Sequence, residues 1–234
     1  MGIFTEKSKG SKMGKAKQRK LARRDPLQVL GDVRALSDRE RKAYIKVGLQ
    51  RAKEIATTLP EGETLYAAFA PMLKYVVSSK YLGGCHDTSA ILYMQLREAG
   101  LQDADVALCI GEVRVQQKPF DHSWVEVRGK VFDVAICAPN SDGSFAGGAV
   151  FAGVDLGTNA EAQAKFGVAS ELALVEPAAT VVGASLLEFQ GLQIEKSLTT
   201  MSDLVHMVYG VDGQALLAKY GNVKRAWRNP RLNP

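Results

Sequence analysis

The spacing of apolar residues changes abruptly within the stretch from Gly83 to Pro139, and this change constrains the fold more than any other feature of the chain. After Gly83-Gly84-Cys85, apolar side chains recur every three to four residues as far as Ala99, which predicts a helix with one buried face. Between residues 104 and 134 apolar and polar residues alternate over short runs, which predicts strands and a hairpin. We therefore expect one helix followed directly by antiparallel strands.

Cys85 lies at the predicted start of that helix, after two glycines that interrupt the preceding structure. Only the thiolate is a strong nucleophile, and the positive end of a helix dipole lowers the pKa of a thiol. The position therefore indicates a nucleophile, although a small buried cysteine is the alternative interpretation. Asp87 and Thr88 fall in the first turn, where we expect them to accept hydrogen bonds from free N–H groups. Cys109 and Cys137 have apolar neighbours and are predicted to be core residues.

His122 and Asp133 fall on the two strands of the predicted hairpin. The turn is expected near residues 129–130, so strand pairing brings Asp133 towards the His122 end of the partner strand. A nearby imidazolium lowers the pKa of a thiol, and a carboxylate fixes the orientation of the imidazole. The alternatives are a packed strand histidine and a carboxylate at a strand end. His86 is adjacent to Cys85, but successive helical residues point about 100° apart, so we expect His86 at the rim of the site.

A zinc site is the other chemistry that these residue types allow. Structural zinc sites usually show paired ligands at short spacing, such as C-x2-C or H-x3-H. The three cysteines and three histidines of the chain contain no such pair. We therefore expect no metal and no other cofactor.

In order and context, these residues resemble a known family. They are similar to the core of the transglutaminase-like cysteine hydrolases, and most of all to the leader peptidase of lasso-peptide biosynthesis, whose strand carries a similar His-x-Trp-Val-Glu. The resemblance covers about 55 of the 234 residues. The segments that carry it are Cys85, Leu96-Arg97-Glu98-Ala99-Gly100-Leu101, Val106-Ala107-Leu108-Cys109-Ile110-Gly111, Phe120-Asp121-His122-Ser123-Trp124-Val125-Glu126-Val127 and Val131-Phe132-Asp133.

The resemblance implies an α+β fold of the papain/transglutaminase type, with the nucleophile helix packed on an antiparallel sheet and extra helices at both ends. It implies a hydrolase that cleaves or transfers an amide bond, in a peptide or a glutamine side chain, through a thioester. Cys85 would be the nucleophile, His122 the general acid and base, and Asp133 the orienting carboxylate. Tyr81 is our choice for a side-chain donor of the oxyanion hole, and Trp124 for the substrate cleft. Peptidase, deamidase and transglutaminase activities all stay open, with a peptide or protein as the expected substrate.

The first 24 residues carry a separate signal in their charge. Nine are Lys or Arg and one is acidic, a net charge of +8, whereas the whole chain has +5. This composition predicts a disordered tail that binds nucleic acid or an acidic partner, or that is only solvated. The alternative function is therefore a non-catalytic nucleic-acid-binding or assembly protein with the core as scaffold. The candidate polyanion-binding residues are Lys15, Lys17, Arg19, Lys20, Arg23 and Arg24.

We divide the chain into a basic tail (1–30), a transglutaminase-like core with N-terminal helices (31–150) and a C-terminal extension (151–234). Ser37-Asp38-Arg39-Glu40 has the form of a capping box and is expected to open the first helix. The chain ends in a second basic patch from Lys224 onwards.

Cysteine content and hydropathy indicate the compartment. Three cysteines at irregular spacing do not suggest a disulfide framework. No window approaches 18 uninterrupted apolar residues, as a membrane span would need. We therefore expect a cytoplasmic protein that does not interact with membranes.

Overall fold

The fold is α+β. In a computed structural model of the protein, the residues that the structure describes are 33, 36–81, 84–116, 118–138, 145–169 and 174–230. The helices are α1 (Asp38–Ala56), α2 (Gly62–Ser79), α3 (Cys85–Glu98), α4 (Ala178–Gly183), α5 (Leu186–Glu195), α6 (Met201–Tyr209) and α7 (Gly213–Tyr220). The strands are β1 (Val106–Val115), β2 (Lys118–Val127), β3 (Lys130–Phe132), β4 (Val150–Phe151), β5 (Val154–Asp155), β6 (Ala160–Glu161), β7 (Lys165–Phe166) and β8 (Ala226–Arg228).

The larger sheet is built around β1. Strands β1 and β2 pair antiparallel along their whole length, from Val106 opposite Val127 to Val115 opposite Lys118. β3 pairs antiparallel with the other edge of β2. On the far edge of β1, β7 pairs antiparallel and β8 pairs parallel. A separate three-stranded sheet contains β4, β5 and β6 in that order.

The turn between β2 and β3 sets the register that matters for the site. Arg128 and Gly129 both have positive φ, 49° and 74°, as a two-residue type I′ hairpin turn requires. Val125 therefore lies opposite Phe132, and Asp133 follows directly after β3. The predicted hairpin is confirmed.

One hydrophobic core extends from Val33 to Tyr220 and contains buried side chains from α1, α2, α3, β1, β2, α6 and α7. Helix α3 is central to it, since ten of its fourteen residues are buried. Burying a large apolar side chain contributes about 1.5–3 kcal/mol, so this shared core ties the elements together. Because residues on both sides of position 150 contribute to it, the predicted boundary at 150 does not divide two packing units.

The capping box at the start of α1 is confirmed. The Ser37 hydroxyl accepts a hydrogen bond from the Glu40 N–H, and the Glu40 carboxylate accepts one from the Ser37 N–H at 2.8 Å. The basic tail and its candidate polyanion-binding residues lie outside the described residues. Among the helices that are described, none is both long and apolar enough to cross a membrane.

Candidate active site

Helix α3 begins at Cys85, as the sequence predicts. Its N-cap is Gly84, which offers no side chain to the first N–H groups of the helix. A Cβ atom on Gly84 would lie 1.9 Å from Cε1 of Tyr81, so a side chain at residue 84 would displace that ring. The glycine thus lets Tyr81 pack against the helix start, and it leaves the partly exposed Cys85 at the positive end of the dipole.

His122 and Asp133 form a buried pair, with His122 Nε2 2.6 Å from Asp133 Oδ2. The hairpin register explains this pair. Asp133 follows Phe132, which lies opposite Val125, so Asp133 is a diagonal neighbour of His122 across the strands. The other carboxylate oxygen of Asp133 accepts hydrogen bonds from the N–H groups of Ala135 and Ile136, at 2.9 and 3.3 Å. Asp133 is therefore held in place independently of the histidine.

Two histidines, His122 and His86, lower the pKa of the Cys85 thiol. Burial by itself raises that pKa, but the charge of the two rings outweighs burial and holds the pKa well below its usual range. Burial by itself lowers the pKa of His122, but the charges of Asp133 and Cys85 and their hydrogen bonds raise it to about 10. Near neutral pH the site therefore contains a thiolate next to an imidazolium.

No protein-family model, no curated protein and no solved structure matches this chain. The chemistry of the site is therefore argued from its geometry. Among the residues that the structure describes, no three His, Cys, Asp or Glu side chains are grouped as a metal ion would need.

The two other cysteines differ from Cys85 in their surroundings. Cys109 and Cys137 are both fully buried. Burial is the main cause that raises the pKa of each thiol to about 12. They are therefore protonated near neutral pH, which agrees with their prediction as core residues.

His86 is buried, so its prediction as a rim residue is wrong. Its Nδ1 lies 2.7 Å from the Oγ of Ser123, on β2. Its ring also meets Phe189 edge to face, with the centroids 6.2 Å apart. The 100° offset between successive helical residues points His86 towards the sheet rather than towards solvent. Its partner Ser123 is 37 residues away in the sequence, and no local pattern signals the contact.

Tyr81 lies close to the helix start, but its hydroxyl donates to Oδ2 of Asp87 at 2.6 Å. A phenol has one proton, so Tyr81 does not offer the oxyanion donor that the resemblance implied. Asp87 Oδ1 accepts a second hydrogen bond, from Nε2 of Gln193 at 2.5 Å. The prediction that Asp87 caps the first turn is therefore wrong, because its carboxyl group binds two side chains instead. Burial raises the pKa of Asp87 to about 6.

Trp124 is fully buried, so its assignment to the substrate cleft is wrong. Its Nε1 donates to Oε1 of Glu126 at 3.0 Å, and its ring packs on Phe166, 5.3 Å away between centroids. The reason is tertiary, because β7 pairs with β1 and brings Phe166 over the strand face that carries Trp124. Side chains alternate along a strand, so His122 and Trp124 lie on one face of β2, but alternation does not show what covers that face.

The second basic patch is buried in part, since Lys224 is exposed but Arg225 is not. Arg225 is 4% exposed and donates through Nη2 to the His86 carbonyl oxygen at 2.9 Å. Arg228 donates to Glu126 at 2.8 Å and lies in β8, which directly follows Arg225 and pairs with β1. Sequence reasoning missed Arg225 as a residue of this site, since a run of positive charges ordinarily indicates an exposed face.

A groove is lined by Phe120 and Asp121, the two residues before His122 on β2. Leu174 and Trp227 supply apolar surface to the same groove. The Asp121 carboxylate accepts a hydrogen bond from the Val175 N–H at 2.6 Å, which fixes one wall. Cys85, His122 and Asp133 are not among the described residues that line this groove.

Proposed function

We propose that the protein is a cysteine hydrolase that cleaves or transfers an amide bond through a Cys85–His122–Asp133 triad. One observation carries the proposal: a thiol at the start of a helix has its pKa lowered by an imidazole that is itself hydrogen-bonded to a fixed carboxylate. The α+β fold, with the nucleophile helix packed on an antiparallel sheet, supports a core of the papain/transglutaminase type. Covalent catalysis by a thiol requires a nucleophile, a base beside it and a third group that orients the base.

The reaction uses the thiolate–imidazolium pair directly. The Cys85 sulfur attacks the amide carbon, and a carbon–sulfur bond forms while the carbonyl oxygen takes the negative charge. When the carbon–nitrogen bond breaks, the protonated His122 gives its proton to the leaving amine. Asp133 holds the ring in the orientation that both steps need.

Water or an amine then resolves the thioester. Neutral His122 takes a proton from the incoming nucleophile, which forms the new bond to carbon and releases the Cys85 thiolate. Hydrolysis is the proposed outcome, with a peptide or protein as the substrate class.

The first test is the alkylation rate of each cysteine as a function of pH, measured by mass spectrometry with iodoacetamide. In the native protein we expect Cys85 to react about 100-fold or more faster than Cys109 and Cys137 at neutral pH, since each pKa unit changes the thiolate fraction about tenfold. In His122→Ala that advantage should largely disappear, with folding checked by circular dichroism. A Cys85 that reacts no faster than the two buried cysteines contradicts the proposal.

Turnover is tested with a peptide library and mass spectrometric detection of the products. The expected result is cleavage or deamidation that is lost in Cys85→Ser. Products that persist in Cys85→Ser would come from another activity and would count against the triad.

The alternative is a binding function for the basic residues 1–24, favoured by their net charge of +8. Such a tail binds polyanions through counterion release, so affinity falls steeply with salt. Full-length protein and a variant that starts at Asp25 would be compared for binding to a fluorescent single-stranded oligonucleotide. Salt-sensitive binding that disappears with the tail, in a protein without Cys85-dependent turnover, would favour the alternative.

A further inference from the structure

The main chain of Asp133 pairs with the three-stranded sheet. Strand β3 ends at Phe132, so Asp133 lies beyond the last residue of β3 that pairs with β2. The Asp133 N–H donates to the Val150 carbonyl oxygen at 2.8 Å, and the Asp133 carbonyl oxygen accepts a hydrogen bond from the Val150 N–H at 2.7 Å. The position of Asp133 therefore depends on what holds Val150, the first residue of β4.

A buried carboxylate, that of Asp155, joins the two ends of the hairpin that contains Val150. Asp155 lies opposite Val150 in the β4–β5 pair and is 6% exposed. Before β4, the Gly148 N–H donates to Asp155 Oδ2 at 3.0 Å. After β5, the N–H groups of Gly157 and Thr158 donate to Asp155 Oδ1 at 2.6 and 3.1 Å. Hydrogen bonds to a charged acceptor are about twice as strong as neutral ones, so this carboxylate fixes the hairpin.

The backbone at residue 148 fits closely against this carboxylate. A Cβ atom on Gly148 would lie 2.2 Å from Asp155 Oδ1 and 2.6 Å from the Gly157 N atom. A side chain at residue 148 would therefore displace the carboxylate. Glycine is the residue that allows such a close approach of backbone to another group.

Helix α1 binds the same hairpin. The Tyr44 hydroxyl oxygen accepts a hydrogen bond from the Ala149 N–H at 3.0 Å, directly before Val150. Arg51 donates through Nη1 to the carbonyl oxygens of Leu156 and Gly157, both at 2.8 Å. The helix thus attaches the hairpin to the rest of the protein, whereas Asp155 attaches the ends of the hairpin to each other.

We propose that Asp155 is a positioning residue of the triad, which holds Asp133 against His122 by fixing Val150. The contacts form one continuous path from the Asp155 carboxylate through the hairpin and the Asp133 main chain to Asp133 Oδ2, 2.6 Å from His122 Nε2. A catalytic group must be held within about 0.5 Å of its productive position, so a loosened hairpin weakens this last hydrogen bond. The inference rests on the proposed function, since it concerns the same triad.

The pKa of His122 reports how well Asp133 is placed. Burial by itself lowers that pKa, but the charges and hydrogen bonds of Asp133 and Cys85 raise it to about 10. The measurement is an NMR titration of the histidine ring signals, with the His122 signal assigned by its absence in His122→Ala.

Two variants change the hairpin in different ways. Asp155→Asn replaces one carboxylate oxygen by an amide group, which cannot accept a hydrogen bond from a backbone N–H. Gly148→Ala keeps the negative charge of Asp155 but displaces its carboxylate. The matched control is Asp212→Ala, since the Asp212 carboxylate also accepts from backbone N–H groups, those of Gln214 and Ala215 at the start of α7.

In Asp155→Asn and in Gly148→Ala we expect the pKa of His122 to fall by about one unit or more, because its hydrogen bond to Asp133 weakens. In Asp212→Ala it should equal the native value, with the fold of each variant checked by circular dichroism. A fall in Asp155→Asn alone would overturn the inference, because the charge of Asp155 would then be the cause. An unchanged pKa in both variants would overturn it too. A native His122 that titrates near the ordinary value of about 6.5 would instead overturn the proposed function.

Discussion

The two imidazoles at Cys85 are held in different ways. His122 is bound by a carboxylate that is itself anchored by two backbone N–H groups, whereas His86 is bound by the Ser123 hydroxyl. A carboxylate stabilises the protonated ring, and the pKa of His122 is raised to about 10 accordingly. A hydroxyl adds no charge and only orients the ring that it contacts. The carboxylate therefore suits a proton-transfer residue, whereas the hydroxyl suits a ring that is held in place by packing and one hydrogen bond.

The largest effect is expected from Asp133→Asn, which removes the negative charge beside His122 and leaves the hydrogen bond between His86 and Ser123 unchanged. The thiolate–imidazolium pair exists at pH values above the lowered pKa of Cys85 and below the pKa of His122, which is about 10. Without the Asp133 carboxylate, the upper limit of this pH range falls towards the ordinary histidine pKa of about 6.5. Acylation of Cys85 by p-nitrophenyl acetate at neutral pH should fall about 100-fold or more. The pH profile of the rate is the measurement, and an unchanged upper limit would show that Asp133 does not act on His122.

Asp87 lies in the first turn of α3, and its titration should make the stability of the protein depend on pH. Its pKa is about 6 in the folded protein, compared with an ordinary value of 3.8, so the folded state binds the proton more tightly. Stability should therefore fall by about 2 kcal/mol as the pH rises from 4 to above 6. Asp87→Asn can keep both hydrogen bonds and should lose this dependence. Urea unfolding of both proteins across that range checks it, and parallel pH profiles would contradict the assignment.

Ser123→Ala sharpens the comparison between the two rings. The His86 ring loses its Nδ1 partner, the fully buried Ser123 hydroxyl. We expect the free energy of unfolding to fall by about 1–3 kcal/mol, because a buried polar group is left without its partner. The upper pH limit, which His122 sets, should stay where it is. A shift of that limit would mean that the two rings are not independent.

The smallest effect is expected from Tyr81→Phe. Loss of the hydroxyl removes one hydrogen bond to Asp87 and should lower the free energy of unfolding by about 1 kcal/mol. If Tyr81 were the oxyanion donor, the ratio of acylation to alkylation would also fall about 100-fold. We expect that ratio to stay close to that of the native protein, and the two proteins are measured side by side.

The sequence by itself determined three local features: the start of α1, the start of α3 and the hairpin that carries His122 and Asp133. Two glycines followed by a helical pattern place Cys85 at the start of α3, and the capping box starts α1. The hairpin turn lies at residues 128–129, one residue earlier than the sequence predicted, and this position makes Asp133 a diagonal neighbour of His122. These contacts depend on spacing within one element or across one tight turn, and such spacing is written in the residue pattern.

Only the tertiary structure decided the other half of the site. His86 meets Ser123 across 37 residues, Asp87 meets Gln193 across 106, and Arg225 reaches the His86 carbonyl across 139. Periodicity shows which residues share a face, but it does not show which element covers that face. That choice depends on how the helices and strands pack together, and it buried Trp124, Arg225 and His86.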